Sequence, residues 1–294
     1  MGTPNPQMLM SNIAINSNHF FPASGTPYRH SGRAPLTGLF CCYLLGLLVA
    51  VASGIGYCFA VSNLQLALAE AVLFLLFAAL VGVSVGLVAK TTKIRSPRQT
   101  TLCALFCATT GLYCYWASHP FFALGPEHQY IAWSPAQIYQ WALLLFDKGG
   151  EFSGWLAVTL WLLEAAGLFL MSVGMANLQV ENAFCENCDC WTENREGVAY
   201  FKHPGKNSLL ARRLNQNDCL ALAECSPASH QTNNYLQVDM DMCPACLQIC
   251  IVHCKQVATV INRRMKKEKK ELPLIKKTFI KPEELKHIIA ASQI

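Results

Sequence analysis

The first 180 residues alternate between long apolar runs and short polar segments. Four of the runs reach the roughly 20 apolar residues that a helix needs to cross a bilayer core of about 30 Å. The pattern predicts four transmembrane helices forming two antiparallel hairpins, at about 37–61, 66–89, 100–124 and 152–176. We therefore expect residues 36–178 to form an all-α membrane domain.

A fifth apolar segment, 134–146, has about a dozen residues and is too short to cross a bilayer. Ser134 followed by Pro135 is typical of a helix start. Tyr139 and Trp141 suit the headgroup boundary. We expect this segment to be a helix lying in the outer interface of the membrane.

The basic residues indicate the orientation of the chain. All but one of the 23 Lys and Arg residues lie before residue 36, between 90 and 99, or after residue 178, and Lys148 is the exception. Because basic segments flanking transmembrane helices stay in the cytosol, both termini are expected there. Residues 1–35 are polar and lack the apolar core of a signal peptide, so we expect a disordered cytosolic tail and a first span that acts as its own insertion signal.

Small residues recur at four-residue spacing in the first two predicted spans. Such residues let helices approach closely in lipid, where hydrophobicity drives little association. The first two spans should therefore pack tightly against each other through Gly46, Ala50 and Gly54 of one and Ala78, Gly82 and Gly86 of the other.

Two carboxyl groups fall within the predicted spans. Glu70 lies about one turn into the second span, and Glu164 lies in the middle of the fourth. Because a charged side chain in the membrane costs about 2.5 kcal/mol or more, such residues are candidates for proton or substrate handling. The alternative is a protonated Glu that is hydrogen-bonded inside the helix bundle.

The tail from residue 179 onward holds nine of the fifteen cysteines. A cytosolic tail is in a reducing compartment, where clustered cysteines indicate metal ligands before disulfides. Two Cys-x-x-Cys pairs, Cys185 with Cys188 and Cys243 with Cys246, supply the four thiolates of a tetrahedral zinc site. We expect a structural zinc ion bound by these four residues, in a cytosolic domain spanning 179–262.

The residues on both sides of the second pair favour strands. Residues 235–242 alternate apolar and polar positions with a period of two, and residues 247–261 are rich in Ile, Val and Thr. A strand is also expected near 197–203 and a helix near 208–224. The alternative for the segment after the second pair is a helix, in which Cys246, Cys250 and Cys254 share one face.

These two pairs resemble the knuckles of a zinc ribbon, in which two Cys-x-x-Cys turns on two hairpins share one ion. The resemblance implies a small α+β domain with a closed, structural metal site. The tail departs from that pattern in its 54-residue spacer, 189–242, and in Asp189 and Leu247, which stand where a Gly commonly follows the second Cys. Further thiols remain as possible replacement ligands: Cys190, Cys219, Cys225, Cys250 and Cys254.

The C-terminal segment 263–294 is expected to be a basic tail with a short helix near its end. Residues 263–277 contain eight basic and two acidic residues. Such a run attracts anionic lipid at about 1 kcal/mol for each basic residue near the surface, or it is simply solvated. Nucleic acid is not expected as a partner, because no aromatic residues are interleaved to stack on bases.

Phosphate-binding loops, dinucleotide fingerprints, zinc-protease helices and serine nucleophile elbows do not occur in the sequence. We therefore expect a non-enzymatic integral membrane protein whose zinc-stabilised module binds another protein or the membrane surface. Two alternatives remain. One is an oligomeric transporter or channel subunit that uses Glu164, and the other is a thiol redox protein that uses a Cys-x-x-Cys pair.

Overall fold

The computed structural model describes residues 23–64, 67–124, 129–148, 154–205, 208–229, 232–247, 249–261 and 267–292. The chain forms two compact units. The helical unit is His30–Glu181. The sheet unit combines the residues up to Arg29 with Asn182–Ile294.

In its described residues the helical unit has five α-helices: α1 Leu36–Asn63, α2 Ala67–Thr91, α3 Pro97–Ala123, α4 Pro135–Lys148 and α5 Trp155–Gln179. Within the described residues, three of them, α1, α2 and α5, are long and apolar enough to cross a membrane. Their outward surfaces carry many exposed leucines, as lipid-facing helices do. The sequence placed these three helices within about three residues at each end.

The third predicted span is helix α3, which has 27 residues. Its start is fixed by Ser96, whose side chain accepts a hydrogen bond from the backbone N–H of Gln99, and by Pro97 in the first turn. Polar residues interrupt its apolar sequence, and α3 is not among the three helices apolar enough to cross a membrane.

Helix α4 has 14 residues and occupies the predicted interfacial segment. Ser134 and Gln137 form a reciprocal cap, in which each backbone N–H donates to the other side chain at 3.1 and 3.2 Å. Tyr139 is exposed, whereas Trp141 is buried and donates from Nε1 to Nδ1 of His119 at 3.1 Å. The predicted helix start is therefore confirmed.

Gly54 and Gly82 face helices other than those expected, whereas a methyl group at Gly46 would meet Val85 of α2 as well as Cys107 of α3. A methyl group added at Gly54 of α1 would collide with the carbonyl oxygen of Gly111 in α3. One added at Gly82 of α2 would lie 2.5 Å from the carbonyl oxygen of Ser172 in α5. Helices α1 and α2 do pack together, but the closest approaches join α1 to α3 and α2 to α5. A four-residue spacing shows that a close partner exists without showing which helix it is.

The sheet unit contains a two-stranded hairpin and a four-stranded antiparallel sheet. The hairpin pairs β1 Phe184–Cys185 with β2 Cys190–Trp191. The sheet has the order β3, β4, β5, β6, and its strands are Glu193–Lys202, Asn234–Met242, Cys250–Ile261 and Lys267–Ile280. Its helices are α6 Leu209–Asn215, a 3₁₀ helix Cys219–Leu222 and α7 Pro282–Ala291.

The core of this unit lies on one face of the sheet, against the three short helices. The strand predicted before the second cysteine pair is confirmed, because Leu236, Val238, Met240 and Met242 are all buried there. The helical alternative for the segment after the pair is wrong, since β5 is a strand and both Cys250 and Cys254 point into the core. Its density of β-branched residues outweighs the four-residue spacing of its cysteines.

The opposite face of the sheet is polar, yet its central carboxylates are buried. Asp241 is fully buried and accepts a hydrogen bond from Nδ2 of Asn194 at 2.7 Å, with Nζ of Lys277 at 3.8 Å. Asp239 lies 3.4 Å from Nζ of Lys255. The alternating pattern suggested that the polar positions of β4 face solvent. Asp239 and Asp241 are instead buried, and nearby lysine charges replace their lost hydration.

Two predicted tails belong in part to the sheet unit. Residues before 23 lie outside the described residues, but Pro27 forms a bridge with Thr278 of β6. The backbone N–H groups of Gly25 and Tyr28 donate to the carbonyls of Phe279 and Lys277 at 3.0 and 2.7 Å. The described part of the basic run is strand β6, which pairs with β5, so the boundary expected at 262/263 does not separate a tail from the domain.

Candidate metal centre

The first Cys-x-x-Cys pair lies in the turn of the β1–β2 hairpin. Phe184 pairs with Trp191, and Cys185 pairs with Cys190, so the turn runs from 186 to 189. The rings of Phe184 and Trp191 meet edge to face with centroids 5.0 Å apart. The backbone N–H of Phe184 donates to the hydroxyl oxygen of Tyr28 at 2.9 Å. These contacts fix a hairpin that is too short to be stable alone.

The second pair lies in the turn that joins β4 to β5. Met242 and Cys250 are the last paired residues before the turn. The backbone N–H of Cys243 donates to the carbonyl of Ile249 at 3.2 Å, and that of Leu247 donates to the carbonyl of Cys243 at 3.0 Å. The turn thus folds back on Cys243 and holds both cysteines at one end of the sheet.

Both turns contain a left-handed residue directly after the second cysteine. Asp189 follows Cys188 with φ 52°, and Leu247 follows Cys246 with φ 56°. This conformation is the one for which glycine is the default residue. Asp189 and Leu247 therefore adopt the left-handed backbone conformation that a glycine commonly provides at this position of a metal knuckle.

The four predicted ligands meet at one point. The sulfur atoms of Cys185, Cys188, Cys243 and Cys246 all lie within 4.8 Å of one another. Sγ of Cys185 is 3.9 Å from Sγ of Cys246. With Zn–S bonds of about 2.3 Å, the edge of a tetrahedral site is about 3.8 Å. These four thiols are close enough together to hold a metal ion.

The electrostatic environment differs among these thiols. Burial raises the pKa of Cys185 well above its ordinary value, and burial with neighbouring thiols raises that of Cys188 to about 11. Burial also opposes ionisation of Cys243, but backbone N–H groups of Cys246 and Ala245 donate to its sulfur and lower its pKa to about 7. Neighbouring thiolates repel one another, so ionising several of them together is unfavourable unless a cation compensates their charge.

The spare thiols fall into two groups. Cys219, Cys225, Cys250 and Cys254 are buried in the core cluster of the sheet unit. Cys190 is half-buried, and its sulfur lies 3.6 Å from Sγ of Cys243. It is outside the set of four mutually close thiols. The spacing of the two pairs gave no reason to distinguish Cys190 from the other spare thiols.

The two carboxyl groups of the predicted spans, Glu70 and Glu164, belong to the helical unit and have different surroundings. Oε1 of Glu164 in α5 accepts a hydrogen bond of 2.8 Å from the hydroxyl of Tyr57 in α1. Tyr57 stacks on Phe77 with centroids 5.5 Å apart. Glu70 lies in the first turn of α2 and makes no hydrogen bond to any residue in the described part of the chain. The sequence did not identify Tyr57 as a partner, and the proton or substrate role of Glu164 stays a prediction.

The donor set determines what the cysteine site can do chemically. Around one ion, four thiolates from two turns would complete a closed tetrahedral shell, with no position left for water or substrate. Such a shell suits zinc or a single iron ion, because soft sulfur ligands select those metals. The arrangement can tie the β1–β2 hairpin to the end of the four-stranded sheet, and this is a structural role.

Comparison of the chain with protein-family models, with curated proteins and with solved structures finds no match.

Proposed function

We propose that this chain is a non-enzymatic, multi-pass membrane protein whose cytosolic sheet unit is stabilised by one zinc ion and binds another protein or the membrane surface. The observation that carries the proposal is the convergence of Cys185, Cys188, Cys243 and Cys246 within 4.8 Å. Metal binding then contributes directly to the folding free energy of a small domain. The two turns act as zinc-ribbon-type knuckles, although the sheet that carries them is larger than a ribbon.

The pairing of the N-terminal segment supports four membrane crossings. Residues 25–28 precede α1, whereas their partners in β6 follow α5. Both segments must therefore lie on the same side of the membrane, which requires an even number of crossings between them. Three helices are apolar enough to cross. The fourth is α3, because its 27 residues span about 40 Å, whereas the 14 residues of α4 span only about 21 Å.

The distribution of basic residues supports a cytosolic location of the sheet unit. Sixteen of the 23 Lys and Arg residues follow residue 178. A sheet unit on the cytosolic side can meet anionic lipid headgroups and other membrane-bound proteins.

The metal content of the full-length chain tests the zinc-stabilised unit. We expect about one zinc per chain after purification in detergent. Cys185→Ser and Cys243→Ser should each lose the zinc, while Cys225→Ser, a buried thiol outside the site, should keep it. Zinc retained by Cys243→Ser would contradict the assigned ligands. The full chain is required, because residues 179–294 alone would lack the segment that pairs with β6.

Hydrogen exchange in nanodiscs separates the two kinds of partner. If the membrane surface is the partner, residues 267–274 of β6 should exchange more slowly in nanodiscs with anionic lipid than in neutral ones. Lys269→Glu with Lys270→Glu should remove that difference, and Lys286→Glu in α7 serves as the control. Equal exchange in both lipids would leave another protein as the partner.

A further inference from the structure

We propose that Cys190 makes the metal centre a redox-controlled site, in which a hydroperoxide oxidises Cys190 and Cys243 to a disulfide and the metal ion is released. The inference deepens the proposed function and rests on the zinc centre proposed above. It uses a thiol outside both Cys-x-x-Cys pairs, and so differs from a redox enzyme that would use one of those pairs.

The strand register directs Cys190 toward the site. Cys190 and Cys185 are direct partners in the β1–β2 hairpin. Directly opposed residues of an antiparallel pair project on the same face, so Cys190 lies on the face that presents Cys185 to the centre. Its sulfur comes within 3.6 Å of Sγ of Cys243. The fifth thiol is thus positioned by strand pairing against a ligand from the other turn.

Cys190 is next to the ligand shell and outside it. The mutually close set contains the two Cys-x-x-Cys pairs and does not include Cys190. Cys190 is half-buried, whereas Cys243 is fully buried. A diffusing oxidant therefore reaches Cys190 more readily than it reaches Cys243. The core thiols Cys219, Cys225 and Cys254 are all buried, so they are shielded from the same oxidant.

The chemistry proceeds in two steps. The Cys190 thiol loses its proton, and its sulfur attacks one oxygen of the hydroperoxide. The O–O bond breaks, which gives a sulfenic acid on Cys190, and the leaving alkoxide, or hydroxide from hydrogen peroxide, takes up that proton as an alcohol or water. The Cys243 thiolate then attacks the Cys190 sulfur, so that an S–S bond forms, the S–O bond breaks and hydroxide leaves, taking up a proton from solvent to become water. The two thiols lose two electrons, and the peroxide gains them.

Loss of Cys243 leaves the metal with three thiolates and an incomplete shell. Cys185 and Cys188 come from the first turn, and Cys246 alone remains from the second. The metal no longer ties the β1–β2 hairpin firmly to the end of the sheet, and it dissociates. A reductant of the dithiol class reverses the disulfide, after which added zinc restores the centre.

Peroxide-driven zinc release from the full-length protein in detergent tests this inference. Zinc is followed with a chromogenic chelator after addition of excess hydrogen peroxide, and disulfides are mapped by mass spectrometry of proteolytic peptides. We expect one zinc released per disulfide formed between Cys190 and Cys243, with recovery after dithiothreitol and zinc. In Cys190→Ser, which should purify with zinc bound, release should be about ten-fold slower or more.

Cys41→Ser is the matched control, because Cys41 is also half-buried and belongs to α1 of the helical unit. It should release zinc at the wild-type rate. Release from Cys190→Ser at the wild-type rate, a disulfide between Cys185 and Cys190, or a Cys190→Ser protein that purifies without zinc would each overturn the inference. A wild-type protein without any bound metal would instead overturn the metal centre itself.

Discussion

Leu247 and Asp189 hold the left-handed backbone conformation that each Cys-x-x-Cys turn requires. An L-residue pays about 1–2 kcal/mol for this conformation, and Asp tolerates it better than Leu. Leu247 is held there although its side chain is bulky, and it packs against the core of the sheet unit. The backbone N–H of Leu247 donates to the carbonyl of Cys243 at 3.0 Å, and the left-handed residue then turns the chain back toward β5.

A pair of substitutions at position 247 separates backbone strain from side-chain packing. Both Leu247→Ala and Leu247→Gly lose the packing, but only glycine relieves the strain. We expect Leu247→Gly to be more stable than Leu247→Ala by about 1 kcal/mol, as measured by chemical unfolding of the metal-free protein. At an ordinary position alanine is the more stable residue, so that order at position 247 would contradict the left-handed conformation.

The protonation of the ligands predicts how zinc affinity depends on pH. Zinc must displace the protons of Cys185 and Cys188, because the pKa values of both thiols are raised in the metal-free protein. Each displaced proton weakens binding about ten-fold per unit of falling pH, so affinity should fall at least about 100-fold from pH 9 to 8. The slope should steepen below about pH 7, where Cys243 also takes up a proton. Chelator competition measures this, and a pH-independent affinity would contradict thiol ligation.

Helices α1 and α3 approach each other closely where Gly54 faces Gly111. The absence of side chains lets backbone atoms come into contact, and this packing replaces the hydrophobic driving force that lipid removes. Gly56 lies two residues along α1, and a methyl group there would meet nothing within 4 Å. Gly54 and Gly56 thus lie in the same helix, but only Gly54 contacts a neighbouring helix.

Alanine at these two positions should have opposite consequences. Gly54→Ala should destabilise the helical unit by about 1–3 kcal/mol, because the methyl group forces α1 and α3 apart. Gly56→Ala should be neutral or slightly stabilising, since alanine favours a helix over glycine. Thermal unfolding in one detergent provides the comparison. Equal melting temperatures for the two variants would contradict the close approach at Gly54.

The topology of the whole molecule depends on residues 25–28 and β6 lying on one side of the membrane. In the otherwise wild-type protein, Ser31→Cys and Ser292→Cys should both be labelled by a membrane-impermeant maleimide from the cytosolic side only, as measured on the peptides that contain these two positions. Labelling of position 31 from one side of the membrane and of position 292 from the other would contradict four crossings. It would also separate the N-terminal segment from the sheet that it pairs with.

Most of the features that were predicted correctly from the sequence depend on patterns within short segments of the chain. The three apolar helices, the knuckle positions and the strand before Cys243 each follow from residues close together in the chain. The partners did not follow, because Tyr57 with Glu164, Gly54 with Gly111 and Pro27 with Thr278 lie far apart in sequence. A residue pattern shows which face needs a partner, whereas the tertiary fold determines which partner it meets.

The basic run illustrates a different limit. Because residues 263–277 contain eight basic residues, the sequence predicted a tail there, whereas the described part of this segment belongs to strand β6. Lys277 contributes to burying Asp241 on the polar face of the sheet, and Lys255 does the same for Asp239. Because long lysine side chains cover buried carboxylates while their ends reach solvent, charge alone did not separate a tail from a domain.

X-ray absorption at the zinc edge of the purified full-length protein shows directly whether four thiolates bind one zinc ion. We expect zinc surrounded by four sulfur atoms at about 2.3 Å, with no nitrogen or oxygen in the shell. Cys243→Ser should abolish that signal. An iron signal in place of zinc, a shell containing nitrogen or oxygen, or no bound metal would contradict a closed zinc centre formed by Cys185, Cys188, Cys243 and Cys246.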